Sequence, residues 1–338
     1  MFQKIRIAKN IVLSRPILTI FDITKLCNQR CKMCNIWKTK SNDMSLEEII
    51  RKVDELKKFG IGYVFLQGGE PTIRKDILQI VDIFIKRGIK PTIITNGLLL
   101  SDEFAEEVAR KICNLSISID TLDPEIFTKI RGVDKLDVVI DNIKSISKFR
   151  NHKGNWAITS TITKLSTLND IKVLHEFSKN YGFMYVIRPY VFVNGIAGRG
   201  DEELLYKYED VADIFDYMIN NAEEENYLAS IIYRKQVEYL KGKPMTMCDA
   251  MKRSFLLKES GEIAPCIEYP DIELKIEGFF KFRKQQQENM CIFQNCNQKT
   301  PCFYNDAREI GILINNLSDI ILHIPKIVKQ MIIYGNFF

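Results

Sequence analysis

Over the first 210 positions the apolar residues keep two rhythms in turn. Short β-branched runs stand at 18–25 (ILTIFDIT), 62–67 (GYVFLQ), 91–95 (PTIIT), 114–120 (NLSISID), 157–163 (AITSTIT) and 184–192 (MYVIRPYVF). Brief apolar runs bounded by turn residues read as buried strands. Between them, apolar residues recur three and four apart, as in SLEEIIRKVDELKKFG (45–60). There Ser45 and Glu48 have capping-box spacing and Gly60 supplies the stop, so both ends of a helix are specified locally. Six strands alternating with helices predict an α/β fold whose parallel sheet has right-handed crossovers, either open and doubly wound or an incomplete barrel. In both, the chemistry belongs at the carboxyl ends of the strands.

The rhythm changes after the sixth run. A glycine-rich loop, GIAGRGDEE (195–203), precedes a polar helical region over about 203–228, and from Cys248 five cysteines fall within 55 residues. This divides the chain into a barrel (1–235), a small cysteine-rich α+β extension (236–310) and an apolar helical tail (311–338). The tail, IILHIPKIVKQMIIYGNFF, carries Lys326 and Lys329. Packing against the barrel is its expected role, with contact to a membrane surface as the alternative.

Composition narrows the function. Of 338 residues 46% are hydrophobic and 27% charged, enough apolar material for a large core and no signature of disorder. The net charge of +5 is mild and gathers in no basic stripe, so a nucleic-acid partner is not expected. The first 25 residues carry charges throughout, and no apolar run reaches 18. Neither a signal peptide nor a membrane span is read, and a cytoplasmic location is expected. Nine cysteines in such a chain should be reduced thiols, and their clustering favours metal ligation over disulfides.

Cys27, Cys31 and Cys34 follow the first strand in C-x3-C-x2-C spacing. A closed zinc site needs four ligands, and so does a fully thiolate-ligated [4Fe-4S] cluster. Three thiols in one loop could hold three corners of a cluster and leave the fourth iron open. A zinc site completed by a distant residue is the alternative.

The motif resembles that of the radical S-adenosylmethionine (radical SAM) superfamily. Met33 stands at the hydrophobic position before the third cysteine. QGGEP (67–71), TNG (95–97), SISID (116–120) and IRG (130–132) follow in order at successive strand ends or shortly after. The resemblance implies a partial (β/α)6 TIM-like barrel. It implies a [4Fe-4S] cluster on the catalytic loop Cys27, Cys31 and Cys34, whose open iron chelates S-adenosyl-L-methionine. One-electron cleavage of that cofactor then gives a 5'-deoxyadenosyl radical that abstracts hydrogen from substrate. It makes Met33, Gly68, Gly69, Glu70, Pro71, Asn96, Ser118, Asp120 and Arg131 the cofactor-contact candidates. Glu70 would meet the methionine ammonium, and Ser118 and Arg131 its carboxylate. The sixth-strand region resembles the part of related enzymes that meets the adenine, adding Arg188 and Arg199.

The later cysteines read C-x12-G-x4-C over Cys248, Gly261 and Cys266, then C-x4-C-x5-C over Cys291, Cys296 and Cys302. The first part resembles the SPASM and twitch extensions that bind auxiliary iron–sulfur clusters, with a hairpin turning at Gly261. The second departs from the full pattern, since x4 replaces x2 and no cysteine follows Cys302. Five thiols suffice for one auxiliary [4Fe-4S] cluster and leave one over; structural zinc is the alternative. Cys113 reads as a small buried hydrophobe. His152, His175 and His323 are isolated and read as structural. The resemblance implies a radical SAM enzyme that modifies a peptide or protein and draws electrons from a flavodoxin or ferredoxin. A small-molecule or lipid substrate and a non-catalytic iron–sulfur protein are the alternatives.

Overall fold

The structure, a computed structural model, describes residues 2–150, 154–191, 201–243, 249–266, 272–289 and 306–334. Helix α1 (Phe2–Val12) leads into β1 (Leu18–Thr24). Then follow α2 (Leu46–Phe59), β2 (Tyr63–Gly68), α3 (Ile77–Lys86), β3 (Lys90–Thr95), α4 (Asp102–Arg110) and β4 (Asn114–Ser118). Two helices, α5 (Pro124–Arg131) and α6 (Leu136–Ser147), precede β5 (Trp156–Ile162), and α7 (Leu168–Asn180) precedes β6 (Met184–Pro189). The strands pair in the order β6-β5-β4-β3-β2-β1, every neighbour parallel. β6 does not pair with β1, so the sheet is open, as in a partial (β/α)6 barrel.

The six runs read from the sequence are these six strands. Helix α2 has the expected ends: Ser45 and Glu48 close a capping box, and Gly60 takes φ +99°. All seven residues of β1 are buried, because β1 has a strand on each side. Its second neighbour comes from the far end of the chain. β7 (Ser254–Leu257) runs parallel to β1, Leu18 opposite Ser254, and β8 (Ile263–Ala264) folds back antiparallel on β7. The turn between them has Gly261 at φ +97°, as the sequence suggested. The extension thus opens as added strands of the barrel sheet. Four fully buried residues, SFLL, are too short a run to announce that pairing in sequence.

Beyond β6, α8 (Ala212–Glu225) and α9 (Tyr227–Leu240) cover the β6 side through Ile187, Phe215, Met218 and Tyr233. After α10 (Phe279–Asn289), the tail forms α11 (Asp306–Asn315), α12 (Leu317–Leu322) and α13 (Ile324–Tyr334). Ile312 and Ile327 pack with Val191, Tyr227 and Ile231, so the tail rests on α9 and the end of β6. Among the described residues no helix is long and apolar enough to cross a membrane. His175 is buried between Tyr217 Oη and Glu225 Oε2, 3.0 Å from each, and His323 Nδ1 lies 2.8 Å from the Asp319 carbonyl. Both fit a structural role; His152 lies outside the described residues.

Candidate active site

The loop carrying Cys27, Cys31 and Cys34 leaves the carboxyl end of β1 and is held by its neighbours' strand ends. Gly69 N–H donates to the Thr24 carbonyl and Glu70 N–H to the Leu26 carbonyl, 2.8 Å each. Asn96, just past β3, donates from Nδ2 to Asn28 Oδ1 at 2.6 Å. At the end of α5, Arg30 N–H donates to the Arg131 carbonyl (3.1 Å) and Lys32 N–H to the Ile130 carbonyl (2.8 Å). The extension contributes Glu259, whose carboxylate pairs with Lys25 at 2.6 Å.

The two glycines of the QGGEP motif let the chain approach itself. A Cβ on Gly68 would stand 2.0 Å from the Thr24 carbonyl oxygen, and one on Gly69 2.1 Å from that of Leu26. Gly68 also has φ +130°, a region L-residues rarely adopt. Gly68→Ala is therefore expected to cost at least about 2 kcal/mol, from a strained φ and a backbone clash together. It should also displace the cysteine loop. Urea denaturation and iron content after reconstitution measure the two effects; unchanged values for both would remove this role.

Glu70 is 1% exposed. Its Oε1 accepts from Thr72 N–H (3.0 Å), Thr72 Oγ1 (2.5 Å) and Thr95 Oγ1 (2.7 Å), and Oε2 accepts from Asn96 N–H (2.7 Å). Burial pushes its carboxyl above the usual range against the pull of these donors. Glu70 thus ties β2, the turn at 71–73 and β3 together. Each carboxylate oxygen offers about two lone-pair sites; Oε1, with three donors, is fully taken, while Oε2, with one, keeps a site open. Thr72 and Thr95 were not singled out from sequence, although Thr95 begins the TNG triplet. Pro71 is buried as the first residue of that turn.

Arg131 is held from within the protein. Its Nε donates to Asp120 Oδ2 at 2.7 Å in a buried ion pair, and its guanidinium also meets the Cys31 sulfur. Asp120 Oδ1 accepts from Thr161 N–H at 2.8 Å. The arginine is thus committed to the protein and to a thiol, and Ser118, partly exposed at the end of β4, is the other candidate for a carboxylate. Arg188 is paired with Glu309 of α11 at 2.6 Å. Cys113 is buried and its thiol is pushed up to about 12 by burial, as befits a core residue. Arg199, Cys248, Cys291, Cys296 and Cys302 lie outside the described residues; Cys266 follows β8 and is partly buried.

The three loop thiols are partly buried. Desolvation raises Cys27 and pushes Cys31 up to about 11, with Arg131 pulling Cys31 the other way. A negative charge on Cys34 raises both, and one on Cys27 raises Cys31 as well. Yet among the described residues no three Cys, His, Asp or Glu side chains converge closely enough to hold one metal ion. Three soft thiols on one loop are of the ligand type that iron–sulfur clusters take. A buried amide nitrogen beside them, Gln29 Nε2, has no partner in the thiol form, which also fits a site completed by an added sulfur-rich group.

Residues 21–177 match the family model of the radical SAM superfamily. The "Probable GTP 3',8-cyclase" of Thermococcus kodakarensis is 33% identical over 180 residues, covering 50% of this chain and 55% of that protein. The tungsten-containing aldehyde ferredoxin oxidoreductase cofactor-modifying protein of Pyrococcus furiosus is 26% identical over 290 residues, 82% of this chain and 78% of its own. Among solved structures, Streptococcus suis SuiB bound to S-adenosylmethionine superposes with a TM-score of 0.64 at 18% identity, over 88% of this chain and 72% of that one. This last likeness is one of fold. The chain spans about half the length of the GTP 3',8-cyclase relatives it matches.

Proposed function

We propose that this chain, whose residues 21–177 match the family model of the radical SAM superfamily, is a radical SAM enzyme that uses S-adenosylmethionine at the carboxyl end of its barrel to take hydrogen from an unactivated carbon of a peptide or protein. The observation that carries the reading is the loop of Cys27, Cys31 and Cys34, braced on the ends of β2, β3 and α5 beside Glu70, Asn96 and Arg131. The three thiolates would hold a [4Fe-4S] cluster by three corners. When bound, cluster and cofactor together supply one-electron cleavage of a carbon–sulfur bond and a 5'-deoxyadenosyl radical.

The chain's own residues set the stage for this. Glu70 would meet the methionine ammonium through Oε2, already fixed by Asn96, so its orientation is set before the cofactor arrives. Ser118 lies at the next strand end for the carboxylate. Asp120 holds the Arg131 guanidinium in place beside the Cys31 sulfur, where its N–H groups could face the cluster thiolates. Electrons would come from a flavodoxin or ferredoxin.

The peptide reading is supported by the SPASM-like cysteine spacing and by the fold shared with SuiB, which was also solved with its precursor peptide SuiA. A small-molecule substrate is favoured instead by the relatives named for GTP 3',8-cyclase and heme synthase activities. Reconstituted protein given reductant and S-adenosylmethionine should release 5'-deoxyadenosine and methionine. With a fully deuterated peptide pool the label should enter 5'-deoxyadenosine. Label transfer only from a small-molecule pool would select the second reading, and no cofactor cleavage would sink both.

The extension is proposed to hold one auxiliary cluster on Cys248 and Cys266 with two of Cys291, Cys296 and Cys302. The parent should then contain roughly eight irons and Cys248→Ala/Cys266→Ala roughly four, one cubic cluster per site. The double variant should keep cofactor cleavage and lose substrate turnover. Four irons and one zinc in the parent would make the second site structural.

A further inference from the structure

Gln29 lies between the first two cysteines, is 1% exposed, and touches both sulfurs. Its backbone N–H points at Cys27 Sγ, 3.5 Å away. Its side-chain Oε1 accepts from the Cys31 thiol at 3.3 Å. The other half of the amide, Nε2, is buried with no hydrogen-bond partner. A primary amide left with both N–H donors unmet in a buried position is costly, so the arrangement needs a reason.

The thiol form supplies none, and the thiolate form does. A thiolate can only accept. Once Cys31 gives up its proton to ligate iron, Oε1 would face a negative sulfur, acceptor against acceptor. A half-turn about the terminal side-chain bond exchanges Oε1 and Nε2. That removes the repulsion and gives the orphaned N–H its acceptor. The same sulfur also interacts with the Arg131 guanidinium, held by Asp120. Hydrogen bonds to cluster sulfurs stabilise the more negative, reduced state and raise the reduction potential. We propose that the Gln29 amide is a positioning residue that donates Nε2–H to the Cys31 sulfur of the loaded cluster and makes the cluster easier to reduce. The inference rests on the cluster reading above. The electron itself comes from an external donor, dithionite in the test, and enters the cluster; Gln29 carries neither electron nor proton.

The test is an EPR-monitored redox titration of anaerobically reconstituted protein, without S-adenosylmethionine or substrate, so that no activity enters the readout. Iron content is matched among parent, Gln29→Leu and Gln29→Glu. The leucine variant should have a more negative midpoint, a several-fold weaker reduction constant at about 59 mV per tenfold. The glutamate variant should fall further, having a charge and no donor. In the parent grown with amide-¹⁵N glutamine, pulsed EPR should show a nitrogen coupling to the reduced cluster. This measurement needs no variant, so it stands even if a variant fails to load. Unchanged midpoints in both loaded variants, or no ¹⁵N coupling in the parent, would overturn the proposal while leaving the cluster in place. A parent that takes up no iron would instead overturn the cluster reading and this proposal with it.

Discussion

Replacing Cys31 by alanine is expected to abolish reductive cleavage of S-adenosylmethionine while the fold survives. On the proposed reading Cys31 is the middle ligand of three, so its loss would leave two thiolates to hold a cluster that already lacks a fourth. Loss of an outer partner of a metal ligand typically costs 10–100-fold; loss of the ligand itself should cost more than about 100-fold in cofactor cleavage. The fold should hold because the loop is pinned by backbone. Arg30 and Lys32 donate to the end of α5, and Asn28 Oδ1 accepts from Asn96 Nδ2; none of these contacts uses the sulfur. Arg131 keeps Asp120 when the thiol goes. Release of 5'-deoxyadenosine by chromatography, beside a urea melt, separates the two effects. Cleavage at the parent rate would remove Cys31 from the cluster.

Asp120→Ala should produce the largest stability loss of any single change at this site. The carboxylate neutralises a guanidinium buried beneath the cysteine loop, with side-chain exposures of 1% and 8% for Asp120 and Arg131. Removing one partner of a buried pair leaves an uncompensated charge and typically costs 3–5 kcal/mol, so about 4 kcal/mol is expected here. Thr161 N–H, donor to the other carboxylate oxygen, would be orphaned as well. Folded domains hold only about 5–15 kcal/mol in reserve, so a large shift in the urea midpoint should follow. Asp120→Asn keeps an acceptor for Thr161 and should recover part of the loss. A cost below about 1 kcal/mol for the alanine variant would mean that Arg131 finds water or another anion.

The strands could be read in advance because each is a short β-branched run closed by turn residues; parallel α/β units leave few ways to connect them, but between an open doubly wound sheet and an incomplete barrel only the resemblance pointed to the barrel. The cysteine loop and the strand-end motifs were legible for the same reason: they sit where runs stop. What each motif residue touches was less legible. Gly68 and Gly69 make room for Thr24 and Leu26, a contact between segments over 40 residues apart that no local spacing records. Arg131 holds a carboxylate of the protein, Asp120, eleven residues upstream, a pairing that the motif spacing does not announce. Gln29, between Cys27 and Cys31, carries no sequence signal, because a glutamine in a loop is ordinarily solvated. Only its burial marks it. The pairing of β7 with β1 joins positions 236 apart, Leu18 with Ser254, through a strand of four residues.

The central claim is that Cys27, Cys31 and Cys34 hold a cluster with one iron left open to S-adenosylmethionine. It is tested most directly by the EPR spectrum of the dithionite-reduced, reconstituted Cys248→Ala/Cys266→Ala protein before and after the cofactor is added, since that variant should keep only the loop cluster. Roughly four irons per chain, with a spectrum that changes on addition of S-adenosylmethionine, is the expected result. A reduced cluster whose spectrum is indifferent to the cofactor, or one zinc and no iron, would contradict the claim.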